Sequence, residues 1–482
     1  MDSAKGWFSV ELPGLKEFIQ ATLAGQKVVG AAIGVVHDQT VIWSEGFGSA
    51  DLDKNGSPNA ETLFRIDSNT KPFTGVGIMR LRDEGLLDLN QPLAAFVPET
   101  ELLEIRYGSI KDLTLRRLLT HRSGIVGEAP GSWAETGVGP TTEEILSRLD
   151  EAGVVIPPDS QHKYSNLAFM LLGNVIERLS GISYSDYVSK NIFQPLGMTG
   201  STFDPDNSNL PRAVQYFGAT GDQDPIPVRL VHNGRRPAGG IFSNVDDMAK
   251  WIAFQFQTED GDATQSDVLA SGSIEEMHQI QYMESDWQSG QCLPWRALRH
   301  GDHVFLGHGG GNPGSLSQTY FHKPTKIGVV VLTNSDAHTA HQLIAVEVMD
   351  RLVRAREQHA ALLLDDQVNQ VPPPPELNFI LGEYVGNRPT ALGYANSGIH
   401  ITWLDGSLVA LTLGEEIPVR IMANSGVTYP AHLDPTADPL AFIIREGRLA
   451  GEKLTFIPGD GTAVPSIVLQ TGAVFRKLPS PD

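Results

Sequence analysis

Two hydrophobic periods run along the chain, and the switches between them mark the elements. Between residues 12 and 24, Leu15, Phe18, Ile19 and Leu23 recur three and four positions apart, which is one face of a helix. Residues 28–36 and 40–47 read as two strands joined at His37-Asp38-Gln39, so a helix leads into a hairpin. A polar break, Phe64-Arg65-Ile66-Asp67-Ser68-Asn69-Thr70-Lys71, then gives way to Val76, Ile78, Met79 and Leu81 before Gly85. That spacing predicts a helix over 68–84 opening near Ser68. Pro72 disfavours helical geometry at Lys71 but is tolerated in a first turn.

Shorter helices are predicted over 113–123, stopped by Gly124, and over 141–149. An amphipathic helix over 167–179 ends at Gly181, and Tyr164 and Asn166 fall on the loop before it. Pro237-Ala238-Gly239-Gly240 approaches a helix capped by Ser243, with Asp246 as its capping partner. Residues 258–271 are polar and read as a loop. Further on, residues 318–322 and 327–332 are strand-like, preceded by a glycine-rich insert over 304–314. Gly309, Gly311 and Gly314 match G-x-G-x-x-G, but a strand and a proline turn follow where a dinucleotide site needs a helix, so that reading is rejected. A helix over 341–361 leads to Pro372-Pro373-Pro374-Pro375, a stiff linker. Short alternating runs follow, with a hairpin signal at Asp405-Gly406, and the tail reads as a small all-β domain.

Composition narrows the function. At 482 residues with 41% hydrophobic and 19% charged positions, the chain suits two domains with a sizeable core. Its net charge of -21 opposes nucleic acid and anionic membrane and favours a small or neutral partner. The single Cys292 forms no intramolecular disulfide, the start lacks a signal-peptide pattern, and no run approaches a membrane span, so a soluble, cytoplasmic protein is expected. His-Glu-x-x-His, paired Cys-x-x-Cys and Gly-x-Ser-x-Gly are all absent, leaving no metal set, no cofactor motif and no α/β-hydrolase nucleophile elbow.

The chemistry gathers at Ser68-x-x-Lys71. Three residues apart on a helix is one turn, so the Lys71 amine reaches the Ser68 hydroxyl, and helix-start N-H groups face a developing oxyanion. The alternative is that Ser68 only caps the helix and Lys71 is solvated. Ser160-Gln161-His162-Lys163 repeats the spacing but follows Pro157-Pro158 and opens no helix. Tyr164-x-Asn166 and His308-x-Gly310 complete an ordered set of three weak motifs. His121 reads either as a general base or as a structural residue closing its helix.

With these motifs, Leu118-Leu119-Thr120-His121-Arg122-Ser123-Gly124, Pro237-Ala238-Gly239-Gly240 and residues 307–314, the chain resembles the serine β-lactamase-like family over roughly residues 10–350. That group includes class C β-lactamases, D-alanyl-D-alanine carboxypeptidases, D-aminopeptidases, esterases and transesterases. The resemblance implies an α/β fold, an antiparallel sheet flanked by helices, with an all-helical region inserted around residues 75–240. It also implies a small C-terminal all-β, lipocalin-like domain. The expected domains are 1–365, catalytic, then a Pro-rich linker over 366–376 and a β-barrel-like domain over 377–482. Ser68 is then the acylated nucleophile, with Lys71 and Tyr164 sharing its proton. Asn166 binds substrate or Lys71, the N-H groups of Ser68 and Gly311 form the oxyanion hole, and His308 and Gly310 line the facing strand.

The departure is His308-Gly309-Gly310 where β-lactamases commonly carry Lys-Thr-Gly, which removes a fixed cation. Arg235 or Arg236 is a candidate replacement. The expected function is a serine hydrolase or acyltransferase, foremost an esterase on small to medium neutral esters. A D-amino-acid amidase or peptidase and a catalytically silent scaffold are the alternatives. The expected partner is a small ester or amide substrate, and oligomeric state is left open.

Overall fold

The structure, a computed structural model, describes residues 6–51, 56–132, 139–205, 216–218, 226–228, 234–257, 267–367, 380–390, 393–404, 407–413, 431–435, 440–444, 453–458, 466–469 and 474–477. Among the described residues, five helices reach ten residues. They are α1 (Gly6–Gly25), α2 (Lys71–Asp83), α3 (Asn166–Ser180), α4 (Val245–Phe254) and α5 (Ala340–Gln367). None is long and apolar enough to cross a membrane. The chain divides into two compact units, Met1–Arg356 and Glu357–Asp482, and the division falls inside α5. The proline run at 372–375 lies outside the described residues.

In the first unit, α1 feeds the hairpin β1 (Gly30–His37) and β2 (Thr40–Gly48), as its sequence period predicts. The same sheet resumes much later with β3 (Tyr282–Met283), β4 (Ser289–Gln291), β5 (Arg296–His300), β6 (His303–Asn312), β7 (Ser315–His322) and β8 (Ile327–Thr333). The order is β2-β1-β8-β7-β6-β5-β4-β3 and every neighbour is antiparallel. Strand β8 is an unbroken apolar run because both sheet faces are covered. Ile327, Val329 and Val331 pack with residues of α1 and α5, whereas Val330 and Leu332 join the helical region. The long excursion between β2 and β3 builds that helical region, which also carries a two-residue parallel ribbon, Glu104–Ile105 with Gly153–Val154.

Helix α2 is buried along nearly its whole length, with Phe73 stacked on Trp251 at 3.8 Å. Every residue from Lys71 to Met79 is buried, which places the first part of the helix in the core. In the second unit, eight strands from Gly382–Thr390 to Val474–Lys477 close into an antiparallel barrel, which leaves no open edge. Gly393–Leu404 pairs with Ser407–Leu413 across the expected hairpin, and the turn residues themselves lie outside the described residues.

Several local expectations are corrected. Residues Asp67–Thr70 form a 3-10 turn and the α-helix begins at Lys71, so Ser68 lies on the turn before α2. Asp67, at φ 49°, breaks the helical path, while Pro72 needs no N-H in the first turn. The helix predicted to stop at Gly124 spans only Leu115–Leu119 because His121 already turns left-handed at φ 54°. Helix α4 is capped by Asn244, which accepts the Asp247 N-H at 2.9 Å, whereas Ser243 sits on a short strand and meets Ser201. The glycine-rich insert is part of one continuous strand, β6. Asn166 is the first residue of α3 and Ser165 its N-cap, bonded to the Ala168 N-H at 3.0 Å. Of the expected 258–271 loop, residues 258–266 lie outside the described residues and Ser271 already opens a helix.

Candidate active site

Between residues 63 and 79, Ser68 alone is not fully buried. The turn that presents it is pinned to the sheet by buried polar groups. The Asp67 carboxylate pairs with Arg65 at 2.8 Å and accepts from Ser315 Oγ at 2.7 Å and Asn312 Nδ2 at 3.1 Å. Burial pushes the Asp67 carboxyl up, and the Arg65 guanidinium opposes it. Asn69 donates to Ser317 Oγ at 2.8 Å and accepts from Thr319 Oγ1 at 2.7 Å. A carboxylate and an amide on each side of Ser68 therefore lock it onto β6 and β7. A side chain at Gly310 would bring its Cβ within 2.2 Å of the Ile66 carbonyl, so only glycine lets strand and turn meet.

Lys71 is fully buried. Its Nζ lies 3.0 Å from Ser68 Oγ, 2.7 Å from Asn166 Oδ1 and 2.7 Å from the Ala238 carbonyl. Asn166 Nδ2 donates to Glu128 Oε1 at 2.6 Å, which fixes the amide with its oxygen toward Lys71. Burial above all, and then Arg235, drives the Lys71 amine well below its ordinary range, with Glu128 and Asp67 opposing.

The Tyr164 hydroxyl donates to Ser68 Oγ at 2.8 Å, and Lys71 Nζ lies 4.7 Å from the Tyr164 ring centre. Desolvation at the hydroxyl pushes the phenol above its usual range. The residue as a whole is 36% exposed, so solvent tempers that shift without reversing it. A free-base amine and a protonated phenol on one serine oxygen can take a proton from it and return one to a departing group.

Strand β6 forms the facing wall. His308 is 4% exposed; its Nδ1 donates to the Gly309 carbonyl at 2.6 Å and its Nε2 has no partner among the described residues. Burial and nearby Lys71 push its pKa down to about 3, so the ring is neutral above that pH. The two-residue loop between Asn312 and Ser315 closes the β6–β7 hairpin, so by alternation Gly309 and Gly311 turn their N-H groups away from β7. Strand β5 reaches only Gly307, so among the described residues no strand pairs with that edge at Gly311. Arg236 is committed to Asp204 at 2.6 Å, and Arg235 reaches Glu128 at 3.6 Å.

The structure thus brings together Ser68, Lys71, Tyr164 and Asn166, with His308, Gly310 and Gly311 on the facing strand. His121 meets Tyr164, and Ser160 bonds the Pro157 carbonyl at 2.6 Å. Sequence reasoning missed Asp67, Asn69, Glu128 and the Ala238 carbonyl. Asp67 and Asn69 flank Ser68 and were findable there; Glu128 is one of 57 acidic residues, and a backbone acceptor leaves no sequence signal.

Comparison with known proteins bears on the fold and the family. Protein flp of Staphylococcus aureus (strain N315) is 26% identical over 247 residues, 51% of this chain and 49% of that protein. Beta-lactamase-like protein 4 of Dictyostelium discoideum is 26% identical over 365 residues, 71% of this chain and 63% of that protein. The chain therefore spans about half the length of the first relative and under two thirds of the second. The octameric penicillin-binding protein homologue from Pyrococcus abyssi superposes with TM-score 0.63 and 22% identity, over 97% of this chain and 100% of that one. The β-lactamase/D-alanine carboxypeptidase from Yersinia pestis, complexed with citrate, gives TM-score 0.60 and 23% identity, over 72% and 99%. At these identities the two structures speak for the fold. A family model described as Beta-lactamase matches residues 15–350, most of the first unit, and on that match the chain belongs to the β-lactamase family, whose fold is that of serine hydrolases.

Proposed function

We propose that the protein is a serine hydrolase that works through a Ser68 acyl-enzyme and acts on small to medium neutral esters. One observation carries the catalytic part. Asn166 Oδ1 and the Ala238 carbonyl can only accept, so they take the two hydrogens of a neutral Lys71 amine and leave its lone pair for the Ser68 hydroxyl at 3.0 Å. Ser68 Oγ attacks the ester carbonyl as its proton moves to Lys71 Nζ. The N-H groups of Ser68 and Gly311 receive the oxyanion. When the carbon–oxygen bond breaks, Tyr164 gives its proton to the leaving alkoxide and regains one from the Lys71 ammonium. Water then enters the same place and reverses the transfers, releasing the acid.

The ester preference is supported by His308, neutral where β-lactamases commonly place a cation, and by the net charge of -21. The test is intact-mass spectrometry with a fluorophosphonate, followed by a panel of a neutral ester, a D-amino-acid amide and a cephalosporin. One adduct on Ser68 and fastest turnover of the ester are expected. No adduct makes the protein a scaffold, and fastest turnover of the D-amide makes it a peptidase.

A further inference from the structure

His121 has no place in the proton path above, yet it packs directly against Tyr164. It is 1% exposed and takes a left-handed backbone, φ 54°, a conformation that costs a non-glycine residue energy and is retained where something depends on it. Its backbone carbonyl accepts the Lys163 N-H at 2.8 Å, and its Nδ1 accepts the Ser165 N-H at 3.1 Å. Its ring lies against the Tyr164 ring, centres 4.3 Å apart and planes tilted by 32°. Three consecutive residues, with the phenol in the middle, are therefore held by one side chain and its own backbone. Behind it the ring rests on Phe169 at 5.2 Å, so it has little room to move.

We propose that His121 is the positioning residue for Tyr164, a clamp that holds the phenol on Ser68 by fixing Lys163, Tyr164 and Ser165 together. This rests on Tyr164 acting as the proton donor. Histidine suits the place for reasons separable by mutation: asparagine tolerates the left-handed backbone and offers an acceptor but no flat face, whereas phenylalanine offers the face but no acceptor. An Nδ1 that accepts requires the ring hydrogen on Nε2. The charged and titratable groups around the ring, Lys71, His162, His308 and Arg296, act with burial to keep it neutral.

The test measures kcat and KM on a neutral ester for the full chain carrying His121→Asn or His121→Phe, alone and combined with Tyr164→Phe. Each single variant lowers kcat about tenfold or more, because a phenol displaced by about 1 Å loses its alignment, while KM stays within about twofold. In the Tyr164→Phe background the same changes cost less than about threefold, since there is no proton left to aim. Full multiplicative losses in that background overturn the clamp and make His121 merely structural. If Tyr164→Phe alone costs less than about threefold, the failure lies instead with the reading of Tyr164. Where the variants do not fold, the imidazole nitrogen-15 spectrum of the wild type decides: a proton on Nε2 of His121 is expected, and one on Nδ1 refutes the clamp.

Discussion

The two walls of the site are furnished differently. On the wall made by the Ser68 turn and the start of α3, Lys71 has three polar partners, Asn166 uses both ends of its amide, and Tyr164 lies on Ser68 at 2.8 Å. On the β6 wall, His308 spends Nδ1 on the neighbouring Gly309 carbonyl, leaves Nε2 without a partner among the described residues, and carries no charge above a pH of about 3. The first wall gathers the groups that the proposed acyl transfer needs, and the β6 wall carries a neutral imidazole at His308 in place of a fixed cation. On the proposed function, reaction and recognition sit on separate elements, so one can change while the other is kept.

The largest effect that would break this picture concerns the first wall. Ser68→Ala removes the nucleophile, so ester turnover is expected to fall by at least about 10⁴-fold and fluorophosphonate labelling to vanish, while Ser160→Ala keeps both. Labelling at another serine contradicts the assignment. Tyr164→Phe deletes a single hydroxyl and is expected to lower kcat by about 10²- to 10⁴-fold.

The second wall is probed by His308→Lys. Position 308 is buried, so the cation acts only where the longer lysine side chain carries its ammonium out to solvent; there it is worth about 1 kcal/mol to an anion about 4 Å away, and the anionic β-lactam to neutral ester ratio of kcat/KM should rise about fivefold. An unchanged ratio with a folded variant argues that charge on β6 does not set selectivity.

The smallest effect is a shift of pH dependence. In the proposed mechanism Lys71 acts as a free base, so kcat/KM is expected to be lost as pH falls through its depressed pKa. Glu128 is an anion that favours the ammonium and so holds that pKa up; Glu128→Gln removes the charge and keeps an acceptor for Asn166. The acid limb is expected to move to lower pH with the plateau within about twofold. A limb that moves upward contradicts the neutral-amine mechanism.

How much of this the sequence carries depends on the kind of contact. Apolar periodicity marks α1, the β1–β2 hairpin and β8, because burial on one or both faces writes itself into residue type. Helix boundaries escape it. The Ser68 turn became 3-10 rather than α because of the left-handed Asp67, and the break after Leu119 comes from His121, neither being a glycine or proline signal. At the site, Ser68, Lys71, Tyr164 and Asn166 are legible from spacing and order. Glu128, the Ala238 carbonyl and the three-residue grip of His121 are not, since each acts across the fold through one atom that any sequence position can supply.

The most direct test of the unequal walls compares kcat/KM of the wild type for a neutral short-chain ester and for a cephalosporin. The better leaving group of an ester, the neutral His308 and the net charge of -21 together predict that the ester is favoured by at least about a hundredfold, roughly 2.7 kcal/mol of barrier. Cephalosporin hydrolysis as fast as ester hydrolysis would contradict it.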